Sequence, residues 1–220
     1  SAITGHNFIA GGRSAAGETI LHSLDASTGE TLPYAFHQAT EAEVDAAARA
    51  AEAAYPAYRA LSPERRAQFL DAIAEQIDAL GDDFVQLVCR ETALPAARIQ
   101  GERGRTSGQM RLFARVLRRG DFLGARIDRA LPERQPLPRP DLRQYRTGVG
   151  PVAVFGASNF PLAFSTAGGD TAAALAAGCP VVFKAHSGHM ATAELVAQAI
   201  IRAAEQTGMP PGVFNMVYGG

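Results

Sequence analysis

From residue 149 onward, apolar runs alternate with alanine-rich amphipathic stretches. PVAVFGAS reads as a strand followed by a glycine turn. Residues 161 to 177 are helical in pattern and stop at Gly178-Cys179-Pro180. VVFKA is a second strand, residues about 189 to 207 a second helix closed by Gly208, and VFNMVYG a third strand. The strands begin near 152, 181 and 213, so they repeat at the period of a βαβ unit. Strands this apolar throughout predict a parallel sheet covered by helices on both faces. The expected fold class is therefore α/β, with a Rossmann-like parallel sheet. Gly219-Gly220 leaves the third strand without its following helix, so the sheet is expected to be incomplete.

The earlier residues carry different signals. Residues 1 to 40 read as short extended pieces, with hairpin signals in HNFIAGG and SAAGETI and a turn in SLDASTGE. Thr40 and Glu43 form a capping box that opens a helix bearing Val44, Ala47, Ala48, Ala51 and Ala54, expected to end near Tyr55-Pro56. Ser62-Pro63 opens a second, with Phe69, Ile73, Ile77 and Leu80 as one stripe stopped by Gly81. A third runs from Asp82 to about Thr92, and an arginine-rich fourth from about Pro95 to Arg119. Four prolines between 132 and 140 exclude a helix and predict an extended excursion with edge strands. By pattern the chain divides into 1–123, extended and then helical, a proline-rich extended segment 124–147, and a βαβαβ unit 148–220.

Composition narrows the function classes. A net charge of -1 gives no electrostatic reason to expect nucleic acid or an anionic membrane as partner. No apolar run approaches the ~20 residues of a spanning helix, and the opening SAITGHNFIAGG has no signal-peptide pattern. Cys89 and Cys179 are too few for a disulfide framework, which favours a reducing, cytoplasmic setting.

Ligands of open parallel sheets sit beyond the carboxyl ends of the strands. The first such loop is Gly156 to Pro161, whose small residues Gly156, Ala157 and Ser158 let a ligand approach the backbone. Asn159 stands just before a helix: it is either an N-cap or an amide donor to a developing oxyanion. The second loop, Lys184-Ala185-His186-Ser187-Gly188-His189, lacks the carboxylate that commonly binds a ribose 2′-hydroxyl. A 2′-phosphate would meet a cation and neutral donors there, which favours NADP over NAD; a solvated polar loop is the competing reading. His186 and His189 lack further ligand types nearby, so no metal is expected. Cys89 and Cys179 both read as structural thiols. Arginines 103, 105, 111, 115, 118 and 119 form a basic helix face, mostly solvated or paired, from which an anionic substrate could use one or two.

The run GPVAVFGASNFPLAFSTAGGDTAAALAAGCPVVFKAH, continued by MPPGVFNMVYG and preceded by EVDAAARAAEAAY, ERRAQFLDAIAEQI and ETALPAARIQGERGRTSGQMRLFA, resembles the aldehyde dehydrogenase superfamily over essentially the whole chain. Within it, the likeness is to the 2-oxoglutarate semialdehyde (2,5-dioxopentanoate) dehydrogenases and related NADP-preferring bacterial fatty-aldehyde dehydrogenases. The resemblance implies oxidation of an aldehyde to a carboxylate with NADP, NAD being the second choice, by thiolate attack, hydride transfer and hydrolysis. It implies that Asn159 is the catalytic oxyanion-hole amide and that Phe160 and Phe164 line a substrate tunnel. Cofactor binding is carried over to Phe155, Gly156, Ala157 and Ser158, and to Lys184, His186 and Ser187. Ser158 replaces the aromatic usual before the Asn, and Ser187 stands where many NAD-specific relatives have glutamate. The resemblance makes 1–123 the N-terminal part of a cofactor-binding domain, 148–220 its truncated Rossmann-like βαβαβ unit, and 124–147 a protruding β oligomerisation segment that extends a neighbouring subunit's sheet, implying a homo-oligomer. The nucleophilic cysteine, general-base glutamate and glycine-rich cofactor turn of the family come later in full-length members, and neither Cys89 nor Cys179 takes that place. A naturally short, non-catalytic nucleotide-binding or oligomerisation module is the reading from another class.

Overall fold

The structure is a computed structural model that describes residues 2–120, 150–156 and 166–219. The segment 124–147 lies outside the described residues, as do Ala157, Ser158, Asn159, Phe160 and Phe164.

The chain begins with β1 (Asn7–Ile9) and β2 (Gly12–Ser14), paired Asn7 to Ser14 and Ile9 to Gly12. Ala10 and Gly11 between them have φ of 55° and 82°, as the favoured two-residue hairpin turn requires. Ala10 would resist that conformation, but its N–H is held by Asn215 Oδ1 at 2.9 Å. HNFIAGG is thus a hairpin. SAAGETI is not: it leaves β2 for a separate two-stranded sheet, β3 (Ile20–Leu24) with β4 (Thr31–His37). Asp25 in the β3–β4 turn accepts the N–H groups of Ser27 and Thr28, the local bonding that makes Asp a turn residue.

Helix α1 (Glu41–Arg59) has the expected capping box, Thr40 Oγ1 accepting from Glu43 N and Glu43 Oε1 from Thr40 N. Two expectations fail within it. Val44 faces solvent and Glu43 is buried in its place, and the helix runs through Pro56. An internal proline costs about 3 kcal/mol. What offsets it is Tyr58, wholly buried, whose hydroxyl donates to Leu175 O at 2.6 Å. Helix α2 (Pro63–Asp78) is capped by Ser62 and buries Phe69, Ile73 and Ile77 as expected. Helices α3 (Asp82–Thr92) and α4 (Ala96–Arg118) follow.

The second half supplies β5 (Val152–Phe155), α5 (Gly169–Ala176), β6 (Val181–Ala185), a 3₁₀ turn (Ser187–His189), α6 (Met190–Thr207) and β7 (Phe214–Tyr218). The described part of the 161–177 helix starts only at Gly169, after a turn. β5, β6 and β7 are parallel, and the main sheet has the order β2-β1-β7-β6-β5. The N-terminal hairpin therefore joins the parallel sheet, pairing Phe8 antiparallel with Met216. β7 is buried along its whole length between α1 and α6, as both-face coverage requires. β5 departs from that expectation: Ala153 and Phe155 are exposed. Buried Glu194 ties the start of the chain to this sheet, accepting from Thr4 N at 2.8 Å, Gly5 N at 2.7 Å and Tyr218 Oη at 3.2 Å.

Candidate functional site at the strand ends

The parallel register sets Phe155 beside Lys184 and Lys184 beside Val217, so three strands end on one line. Beyond that line stand Gly156, the segment His186–His189 and Gly219. Gly156 N–H donates to Lys184 O at 3.1 Å, which fastens the first loop to the second. A Cβ on Gly156 would lie 3.1 Å from both His186 N and Phe183 Cζ. The glycine therefore makes room for the neighbouring loop, not only for a ligand. The ring of Phe155 is 69% exposed at the same strand end.

Lys184 lies on the face of β6 opposite buried Phe183 and Ala185, and is itself exposed. Its chain crosses the end of β7: a Cβ at Gly219 would fall 2.8 Å from Lys184 Cε and 3.4 Å from Nζ. In the turn that follows, His186 Nδ1 accepts from Gly188 N at 2.9 Å. A neutral His186 ring then carries its proton on Nε2, leaving that nitrogen as a donor. The rings of His186 and His189 stack with centroids 4.7 Å apart. Ser187 and Gly188 are exposed, and the loop 184–189 carries no acid. The loop thus offers one exposed ammonium with hydroxyl and imidazole donors and no acid of its own.

One acid lies beneath the turn, and the sequence reading missed it. Glu91 of α3 is buried and accepts from Ala191 N at 2.9 Å, Thr192 N at 2.8 Å, Thr192 Oγ1 at 2.6 Å and Ser23 Oγ at 2.5 Å. Burial pushes its pKa above the ordinary carboxylate value, against the pull of those donors. The available signal was its position: Glu91 continues the apolar stripe of Phe84, Leu87 and Val88, where a carboxylate has to be buried and bonded.

The arginines of α4 separate by partner. Arg103 donates to Leu80 O, Arg111 pairs with Asp78 at 2.7 Å, and Arg118 bonds Glu64 and Asp71. Arg105 and Arg115 are exposed and take no partner among the described residues. Arg105 shares a helix face with Gln109, four residues on, whose Nε2 lies 3.0 Å from where a Cβ of Gly169 would stand at the start of α5. Gly101, Gly104 and Gly108 flank Arg105, and no described residue stands in front of them. Cys179 is buried and its thiol is pushed up to about 11 by burial, with Arg66 pulling the other way. That is the reverse of an activated nucleophile. No metal-suited group of three or more His, Cys, Asp or Glu occurs among the described residues. No helix among them is long and apolar enough to cross a membrane.

The model of the aldehyde dehydrogenase family matches residues 13–220. The chain belongs to the aldehyde dehydrogenase family. Over 215 residues it is 62% identical to the alpha-ketoglutaric semialdehyde dehydrogenase of Acinetobacter baylyi, covering 98% of this chain and 41% of that protein. It is 55% identical over 218 residues to alpha-ketoglutaric semialdehyde dehydrogenase 2 of Azospirillum brasilense, covering 99% of this chain and 42% of that protein. The crystal structure of an NADP-dependent enzyme of E. coli superposes with a TM-score of 0.78 at 26% identity, covering 99% of this chain and 42% of that one. This aldehyde dehydrogenase chain thus spans about two fifths of the length of the relatives it matches. The fold expectation stands: an α/β chain with the N-terminal part of the aldehyde dehydrogenase architecture. Of the site residues carried over from the family, the structure brings together Phe155, Gly156, Lys184, His186 and Ser187 at and just beyond the carboxyl ends of β5 and β6. Asn159, the residue on which the oxyanion assignment depends, lies with its neighbours outside the described residues.

Proposed function

We propose that this chain is the cofactor-binding portion of an NADP-preferring aldehyde dehydrogenase that oxidises 2-oxoglutarate semialdehyde to the dicarboxylate, as a cytoplasmic homo-oligomer. The observation that carries the cofactor half is the loop Lys184–His189, where an exposed ammonium and an exposed Ser187 stand together without an acid. Lys184 would hold the adenosine ribose, and Ser187 with His186 Nε2–H would bond the 2′-phosphate. Gly156 makes room for His186, and Gly219 for the Lys184 chain, so both groups can stand at the strand ends. NADP, when bound, supplies the hydride acceptor.

The substrate half is supported by the two semialdehyde dehydrogenases that the chain resembles at 62% and 55% identity. A semialdehyde carrying a carboxylate needs a cation to orient it. Arg105 is the residue we assign, because it is exposed, takes no partner among the described residues and stands one turn from the Gln109 contact with α5. Asn159 would donate its amide to the oxygen of the reacting carbonyl as negative charge develops there.

The test is steady-state assay of the complete parent protein with 2-oxoglutarate semialdehyde and with long-chain aldehydes, using NADP and NAD. Preference for the semialdehyde and NADP is expected. Equal or better turnover of long-chain aldehydes overturns the substrate assignment. Nucleotide binding without turnover of any aldehyde would favour a non-catalytic module. Ser187→Glu should shift preference toward NAD by about tenfold or more, since a bidding carboxylate meets the 2′-phosphate as a like charge and the 2′-hydroxyl as a donor. An unchanged NADP-to-NAD ratio of kcat/KM would refute Ser187 as the phosphate contact.

A further inference from the structure

Helix α6 follows the nucleotide-facing loop directly, yet its own N-cap residue, His189, makes no side-chain capping bond. The cap comes from another element. Glu91 of α3 accepts the N–H groups of Ala191 and Thr192 and the hydroxyl of Thr192, and its second link runs to Ser23 on β3. Both α3 and β3 pack against the 3₁₀ turn Ser187–His189. A helix N-terminus of this kind commonly receives a phosphate, because its amides point outward with partial positive charge. Here two of those amides are already consumed by a buried carboxylate.

Resting on the cofactor reading above, we propose that Glu91 is a positioning residue for the cofactor loop: by clamping the first turn of α6 it fixes where Ser187 and His186 stand relative to Lys184. Phosphate recognition by this loop then falls to side chains whose placement Glu91 sets from behind. Glutamine at position 91 keeps one acceptor oxygen for the Thr192 pair, but turns an NH2 toward the Ala191 N–H, donor against donor. Alanine removes every acceptor.

The test is steady-state kinetics of the full-length parent with Glu91→Gln, Glu91→Ala and the milder Ser23→Ala, each checked by thermal melting. KM for NADP should rise about tenfold in Glu91→Gln and further in Glu91→Ala, with kcat and KM for aldehyde within about twofold, as a small displacement of a binding group predicts. KM for NAD should rise less, because NAD has no 2′-phosphate to misplace. Ser23→Ala should follow in the same direction by about two- to threefold, and decides the matter should the Glu91 variants not fold. An unchanged KM for NADP in a folded variant overturns the proposal. So does an equal loss in kcat and in both KM values, which marks a merely structural role. If the parent prefers NAD, the NADP reading fails, and the Glu91 proposal then stands or falls on the KM for NAD alone.

Discussion

Gly156→Ala tests whether the two loops at the strand ends are held in register by contact. The φ of Gly156 is not in the left-handed region, so alanine brings no torsional cost and only its methyl group is probed. That methyl would meet His186 N and Phe183 Cζ at 3.1 Å and His186 Cβ at 3.2 Å, a few tenths of an ångström inside ordinary contact. Phe183 is fully buried on β6 and cannot retreat, whereas His186 is half-buried at the strand's end. The His186 side therefore yields. Overpacking of a rigid site costs about 1–3 kcal/mol, and a loop that can give places this variant near the lower end. A loss of about 1 kcal/mol corresponds to roughly 2–4 °C in Tm for a domain of this chain's length, and to less in the longer parent. Because Ser187 moves with His186, KM for NADP should rise about three- to tenfold at unchanged kcat. The assays are thermal melting and steady-state kinetics of the parent protein. An unaltered Tm together with an unaltered KM would refute the contact argument, and a fall in kcat at constant KM would assign Gly156 to the reacting end instead.

Glu43→Gln probes the capping box. Burial pushes the Glu43 carboxyl up, but the Ser14 hydroxyl and the N–H groups of Thr40 and Ala16 outweigh it, leaving the pKa below the ordinary value. A depressed folded pKa means that the stabilisation is present at neutral pH and lost as pH falls through the folded value. The variant should lose about 1–2 kcal/mol at pH 7. Denaturant melts should show that gap closing as pH drops below the ordinary carboxylate value, and a gap independent of pH would contradict the assignment. Arg105→Met should raise KM for 2-oxoglutarate semialdehyde about tenfold while leaving an uncharged aldehyde of similar length unaffected; parallel losses on both substrates would remove Arg105 from carboxylate recognition. Iodoacetamide at pH 8 followed by peptide mapping should label half-buried Cys89 well before Cys179, whose thiol is pushed up to about 11 and enclosed; labelling in the reverse order would be inconsistent with that burial.

Local chemistry made the helices readable. Thr40, Ser62 and Gly208 mark ends that the structure places within a residue of expectation, because a cap is decided by neighbours in sequence. Pro56 misled for the same reason: its penalty is local, while the gain from Tyr58 reaching Leu175 spans 117 residues. The βαβ rhythm of β5, β6 and β7 was legible from apolar runs, but the antiparallel addition of β1 beside β7 was not, since nothing within HNFIAGG specifies which edge it joins. At the site, the residue types of the Lys184–His189 loop were readable directly. The roles of Gly156 and Glu91 were not, because each depends on atoms brought in from a distant element.

The bond from Tyr218 N to Asn7 Oδ1 joins residues 211 apart in sequence. During synthesis, β1 leaves the ribosome long before β7, the strand it pairs with, exists. Contacts between such distant residues form slowly, after nearer ones have repaid part of the entropy of closure. The helices α1 to α4 can collapse early, while Phe8 waits uncovered for Met216. Docking of the amino-terminal hairpin is then a late event in maturation, and the interval before it is when this chain is most open to chaperones and to self-association.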